Sequence, residues 1–309
     1  MNNNILLNKM IENYLFFCRA GKNLNPKTTK AYSIDLKQFH SFAAENNLQW
    51  YEKRSVEKYI ASISEKYKPK SVKRKIASLK AFFRYLEIEE MIEINPFHKI
   101  QVKYKEPFIL PKTIPLSVIE QLIRHGYREQ QKSNTPYAQK TALRDTLILE
   151  LLFATGMRIS ELCSLTKDSI DFSGYVIKIH GKGSKERLIQ ICNPNVQNLM
   201  QRYYSAYKQE IADKNYLFIN KLGNRLSEQS VRNMISRYAA ETNLSLHITP
   251  HMFRHSFATL LLEEDVDIRY IQQMLGHSSI TTTQIYTHTS INKQKSILAA
   301  KHPRNKIII

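Results

Sequence analysis

One stretch of this chain, residues 175–191, carries the pattern of β-structure, and almost everywhere else apolar side chains recur every three or four positions. YVIKIH (175–180) and RLIQI (187–191) alternate apolar and polar residues around Gly181-Lys182-Gly183-Ser184-Lys185, which predicts a hairpin with Lys182 on its turn. The expected fold class is therefore mainly α with a small β-hairpin or sheet.

The first half reads as helices. Leu7, Met10, Ile11, Tyr14, Leu15 and Cys18 share one face, with Gly21 as a stop. Asn25 and Pro26 supply the cap and first-turn residue of a second helix, whose apolar stripe is Tyr32, Leu36, Phe39 and Phe42. Lys27, Thr28 and Lys30 lie in its first turn, where main-chain donors favour an anion. A third helix is expected to start at Ser55. In a fourth, Val72, Ile76, Leu79, Phe83 and Leu86 make one face, and Lys73, Lys80 and Arg84 recur on another. That basic stripe suits either the backbone of a polyanion or simple solvation of the helix. Asn95-Pro96 is expected to end this helix.

At about 150 residues per domain, 309 residues predict two domains. Pro107, Pro111 and Pro115 mark an extended linker at 104–114 between a domain of 1–103 and one of 115–309. Ser117 and Glu120 have the spacing of a capping box opening the second domain. An apolar helix from Arg144 to Phe153 stops near Gly156. Thr249-Pro250 starts another, Asp267 a further one that stops at Gly276, and Ser279 can cap a short one carrying Tyr286.

The charge points to a partner. With 46 Lys and Arg against 27 Asp and Glu, the chain carries +19 and calls for a polyanion, nucleic acid before anionic membrane. Residues 1–105 hold 20 basic and 10 acidic side chains and the remainder 26 and 17, so the excess is shared, as suits a polyanion gripped from two sides. No run reaches the roughly 20 apolar residues of a membrane span, and Lys9 and Glu12 break any leader-like apolar region, so a cytoplasmic location is expected. Cys18, Cys163 and Cys192 are too few and too scattered for a disulfide framework or a zinc cluster, and are expected as reduced buried thiols. No glycine-rich phosphate loop is present among the 8 glycines.

His251 and His255, four apart in HMFRH, first suggest a metal helix, but Met252 stands where a metalloprotease needs its Glu base. His251 and Arg254 also share a face, where an imidazole and a guanidinium can serve an oxyanion together; alone, such a pair is more often structural. His255 is expected to be buried and structural.

Four segments in order, ATGMRISEL (154–162), the Lys182 turn, HMFRH (251–255) and LGHSSITTTQIYTH (275–288), resemble the boxes of the tyrosine recombinases, or phage integrase family, and most its two-domain XerC/XerD-type members. More weakly, NPKTTKAYSIDLKQF (25–39) resembles the family's core-binding helices. The resemblance implies a helical, SAM-like core-binding domain and a mixed α/β catalytic domain enclosing duplex DNA. It implies that Tyr286 attacks phosphorus to form a 3′-phosphotyrosine, that Arg158 and Arg254 neutralise the growing charge, and that Lys182 protonates the leaving 5′-oxygen. His251 would accept the tyrosine proton, His277 would hydrogen-bond a phosphate oxygen, and Glu161 would orient His251. Of 17 tyrosines, only the box singles out Tyr286. Lys27, Thr28, Lys30, Lys73, Lys80 and Arg84 are expected to hold DNA backbone, and Arg187 DNA backbone or a partner; Lys185 and Arg187 compete for the acid role, but the resemblance favours Lys182. No metal, cofactor or ATP is implied. The expected partners are duplex DNA with paired inverted sites and a homo- or hetero-tetramer on it, with scope for a partner recombinase.

The terminal segment, with Ile291, Ile297, Leu298 and Ile307 to Ile309, is expected to dock on a neighbouring subunit, the alternative being its own domain. With no basic module ahead of the core-binding half, an arm-binding integrase of the lambda type is disfavoured. A type IB topoisomerase has a similar Arg, Lys, His and Tyr set, and a non-catalytic DNA-binding regulator would also be basic and two-domain.

Overall fold

A computed structural model describes residues 3–101, 112–181, 186–276 and 290–308, the side chains of 3–4 and 290–293 excepted. The chain divides into two units, Met1–Ile109 and Leu110–Ile309. Residues 102–111, which hold most of the expected linker, lie outside the described residues.

Unit 1 is built from α1 (Asn3–Ala20), α2 (Pro26–Glu45), α3 (Lys53–Lys66) and α4 (Pro69–Ile88). The apolar stripes close on one another, with Leu7, Leu36, Phe39, Leu79, Phe83 and Leu86 fully buried. Asn25 caps α2 as its sequence predicts, Oδ1 accepting from the Lys27 N–H at 2.9 Å. Inside the stripe of α2 sits a charge, Asp35, which is satisfied by the hydroxyl of Ser78 at 2.8 Å, by Lys75 at 3.2 Å and by Arg74. A carboxylate is tolerated there because its partners are brought in with α4. Two expected boundaries move. α3 begins at Lys53 rather than Ser55, and Ser55 is buried within it. α4 ends at Ile88, well before Asn95, because Glu90 takes a left-handed φ of 56° and the Met91 N–H turns back to the Leu86 carbonyl at 2.8 Å. Asn95 instead caps a 3₁₀ turn, Pro96–Lys99.

Unit 2 packs around α6 (Pro136–Thr155), which is buried continuously from Asp145 to Thr155 and is flanked by α5 (Leu116–Lys132), α8 (Pro194–Ala206) and α11 (Pro250–Glu263). α6 is longer than its apolar run suggests, because Thr135 caps it by accepting from the Ala138 N–H at 3.2 Å and Pro136 fits its first turn. The capping box of Ser117 and Glu120 is not formed. α5 begins at Leu116, the Val118 and Ile119 N–H groups bonding the Pro115 carbonyl, so Ser117 already lies inside the helix. After α7 (Ile159–Cys163) comes an antiparallel sheet in order β1-β2-β3, with β1 Ile170–Asp171, β2 Val176–His180 and β3 Glu186–Gln190. The hairpin pairs Ile177 with Ile189 and Ile179 with Arg187, and the two-residue β1, too short for a periodic pattern, joins its edge. α9 (Lys208–Lys214), α10 (Glu228–Glu241), α12 (Ile268–Leu275) and α13 (Ser290–Lys301) complete the unit.

The terminal segment folds back on its own unit. Leu298 and Ile307 are buried in the unit 2 core, while Ile308 is exposed. Fully buried Arg304 forks onto Glu150 of α6 at 2.6 and 2.7 Å. His302 donates from Nε2 to the Ala154 carbonyl at 3.1 Å and accepts at Nδ1 from the Arg304 N–H at 2.9 Å, so its ring is held neutral. The alternative of packing on its own domain is therefore the observed one. Cys18 and Cys163 are buried free thiols; Cys192 is only half-buried. Among the described residues no helix is long and apolar enough to cross a membrane.

Candidate active site

The site is built at the C-terminal end of α6. Gly156 ends the helix with φ 58°, and a Cβ there would stand 2.7 Å from Phe257 and 2.8 Å from Leu275, so glycine is required on two grounds. The turn delivers Arg158 to the start of α7. There the Glu161 carboxylate accepts the Arg158 N–H at 2.8 Å and its Nη1 at 2.7 Å.

Arg254 reaches the same place from α11. It is 6% exposed and donates to the Gly156 carbonyl at 2.9 Å and the Leu275 carbonyl at 2.6 Å. Burial, then the charges of Arg158 and Arg187, push its guanidinium down to about 10, against the pull of Glu161. Glu161 moves the other way. Burial alone would raise its carboxyl, but hydrogen bonds and charge from Arg187, and then the bonds from Arg158, hold it below the ordinary carboxylate range.

Three expectations change here. Arg187 does not face outward as a backbone contact. Its side chain is 9% exposed and donates to Glu161 at 3.1 and 2.7 Å and, through Nε, to the Met274 carbonyl at 2.8 Å. The hydrogen bonds of the Glu161 side chain go to Arg158 and Arg187, and none to His251 is found among the described residues. His251 lies exposed in the first turn of α11. His255 is exposed too, not buried as expected; partial burial of its ring, then His251 and Arg254, keep its imidazole below the ordinary histidine range. Lys182, His277 and Tyr286 lie outside the described residues.

In unit 1, Lys27 and Lys30 are exposed and Thr28 half-buried at the start of α2, and Lys73, Lys80 and Arg84 are exposed along α4. The Lys80 ammonium lies 5.7 Å from the centre of the Phe97 ring. Lys75, between stripe residues, turns inward to Asp35. Among the described residues no group of three or more His, Cys, Asp or Glu side chains is arranged to hold a metal ion.

One carboxylate bracketed by three guanidiniums leaves an excess of two positive charges, with Arg158 still 36% exposed. Such an excess of positive charge in a mainly helical fold suits an anion. The phage integrase family model matches residues 117–293, and the phage integrase N-terminal SAM-like domain matches residues 11–90. A tyrosine recombinase of Agathobacter rectalis is 53% identical over 304 residues, covering 98% of this chain and 98% of that protein. Tyrosine recombinase XerC of Bacillus subtilis is 31% identical over 300 residues, 94% of this chain and 95% of that one. Among solved structures, the XerH site-specific recombinase in a post-cleavage complex with palindromic difH substrate shares the fold, with a TM-score of 0.70 at 21% identity over 94% of this chain and 83% of that chain. The chain belongs to the phage integrase family. It is a DNA strand-cleaving and rejoining enzyme of site-specific recombination, acting through a tyrosine-linked intermediate.

Proposed function

We propose that Tyr286 is the nucleophile, attacking the scissile phosphate to form a 3′-phosphotyrosine and release a 5′-hydroxyl. The new phosphodiester conserves the bond energy of the old one, so rejoining is the same step in reverse and needs no ATP. Arg158 and Arg254 take the non-bridging oxygens as phosphorus becomes five-coordinate, Lys182 protonates the leaving oxygen, His251 accepts the tyrosine proton, and His277 donates to a phosphate oxygen. The observation that carries this reading is the excess of positive charge around Glu161, open at Arg158.

A core-binding domain over 1–103, a linker over 104–114 and a catalytic domain over 115–309 would each serve duplex DNA, Lys27, Thr28, Lys30, Lys73, Lys80 and Arg84 contacting its backbone. Binding to paired inverted sites as a homo- or hetero-tetramer, in the cytoplasm where chromosomal DNA lies, fits the same reading, as does a partner recombinase. The test is a nicked substrate carrying the protein's own genomic site. Wild type should form a denaturant-resistant protein–DNA adduct, and Tyr286→Phe should bind without forming it. An adduct from Tyr286→Phe would reject the nucleophile, and none from bound wild type would favour a non-catalytic binder.

A further inference from the structure

We infer that Arg187 is a positioning residue of the cleavage site, a strut that sets Arg158 free for the phosphate rather than a contact to DNA. The inference rests on the reading of Arg158 as a phosphate ligand.

The geometry begins with the hairpin register. Arg187 stands opposite Ile179 and in phase with Ile189, so the pleat turns it inward, beneath the site. Its guanidinium then binds two elements at once. Nη1 and Nη2 take both oxygens of Glu161, and Nε takes the carbonyl of Met274 in the last turn of α12. Space is shaped around it, since a Cβ on Gly276 would come within 3.1 Å of the Arg187 side chain.

The consequence lies in how Glu161 shares its charge. A buried carboxylate left to Arg158 alone would draw that guanidinium into a two-bond fork and neutralise it. With Arg187 occupying both oxygens, among the described residues only Nη1 of the Arg158 side chain is committed, and the rest of its fork remains for an anion. The bond to Met274 fixes the end of α12, where the neighbouring Leu275 carbonyl holds Arg254. Both arginines assigned to the phosphate therefore take their position from one residue, whose own side chain is only 9% exposed.

The experiment compares wild type, Arg187→Lys, Arg187→Met and Arg187→Met/Glu161→Gln in single-turnover cleavage, with DNA affinity measured across salt concentrations and folding checked by thermal melting. Arg187→Met should cleave roughly 100-fold more slowly once bound, as for a misplaced ligand. Its affinity and salt slope should stay those of wild type, since no phosphate contact is lost. Arg187→Lys keeps the charge but not the fork, and should recover only part of the rate. The double variant should cleave at least as fast as Arg187→Met, because removing the Glu161 charge releases Arg158. Losing Arg187 lets burial raise the Glu161 carboxyl, so the deficit of Arg187→Met should narrow as pH falls. A wild-type rate in Arg187→Met or Arg187→Lys would overturn the inference, as would weaker binding with a shallower salt slope and an unchanged rate once bound. So would multiplying defects in the double variant. If Arg187→Met does not fold, Arg187→Lys decides by its rate and salt slope. Failure of wild type itself to cleave would instead reject the function on which the inference rests.

Discussion

Among the carboxylates that unit 2 buries against guanidiniums, Glu150 and Glu161 are opposites in charge balance. Glu150 and Arg304 are both fully buried and pair one to one, with Tyr127 and the Ile307 carbonyl taking further hydrogen bonds. Glu161 is also buried, yet it faces Arg158 and Arg187, and neighbouring Arg254 is pushed down to about 10 by burial and then by the charges of those two arginines. Buried charge persists where it is compensated, so the first site is complete as it stands. The second carries two positive charges too many, the balance that the proposed phosphate role calls for. The difference separates a device that holds the fold from one proposed to perform the chemistry.

That contrast breaks most visibly at Arg304. Arg304→Ala should leave Glu150 buried and unpaired and lower the unfolding free energy by about 3–5 kcal/mol in a urea titration, whereas Glu150→Leu with Arg304→Met should recover most of it. At the other site the effects should reverse. Arg158→Ala should slow single-turnover cleavage about 10²–10³-fold while moving the urea midpoint little, because Arg187 still pairs Glu161.

A pH series sharpens the structural side. Burial pushes the His302 imidazole from 6.5 down to about 4, so between those values the unfolded chain binds a proton that the folded one refuses. This stabilisation is fully present above about pH 6.5 and lost as pH falls to about 4, up to about 3 kcal/mol in all. The difference in unfolding free energy between wild type and His302→Gln, measured at pH 7, 5.5 and 4, should shrink accordingly. The smallest effect is expected in unit 1. Lys73→Ala and Lys80→Ala should each weaken DNA binding and lower the slope of log affinity against log salt by about 1, without changing the rate of bound complex.

What the sequence reveals depends on whether a residue's partners are local. Helix stripes in α1, α2 and α4 and the alternation of the hairpin were legible because their periods are written in neighbouring residues, and the boxes singled out Arg158 and Arg254. Glu150 and Arg304 were not, since nothing nearby in the chain announces a pair so distant in sequence. Nothing local in the basic run of α4 marks Lys75, yet it turns inward because Asp35 arrives from another helix. Arg187 is the instructive case. The same alternation that predicts β3 puts it in phase with Ile189 and Ile191, on the inward face, so its burial was readable where its basic character suggested DNA.

The central claim is that the guanidiniums around Glu161 serve negative charge on a phosphate, and neutralising that phosphate tests it directly. Cleavage by wild type and Arg158→Ala should be compared on substrates with a normal scissile phosphate and with a methylphosphonate, in which one charged oxygen is replaced by methyl. If Arg158 neutralises that charge, the large defect of Arg158→Ala on the phosphate should shrink severalfold or more on the methylphosphonate. An undiminished defect on the neutral substrate would contradict the account.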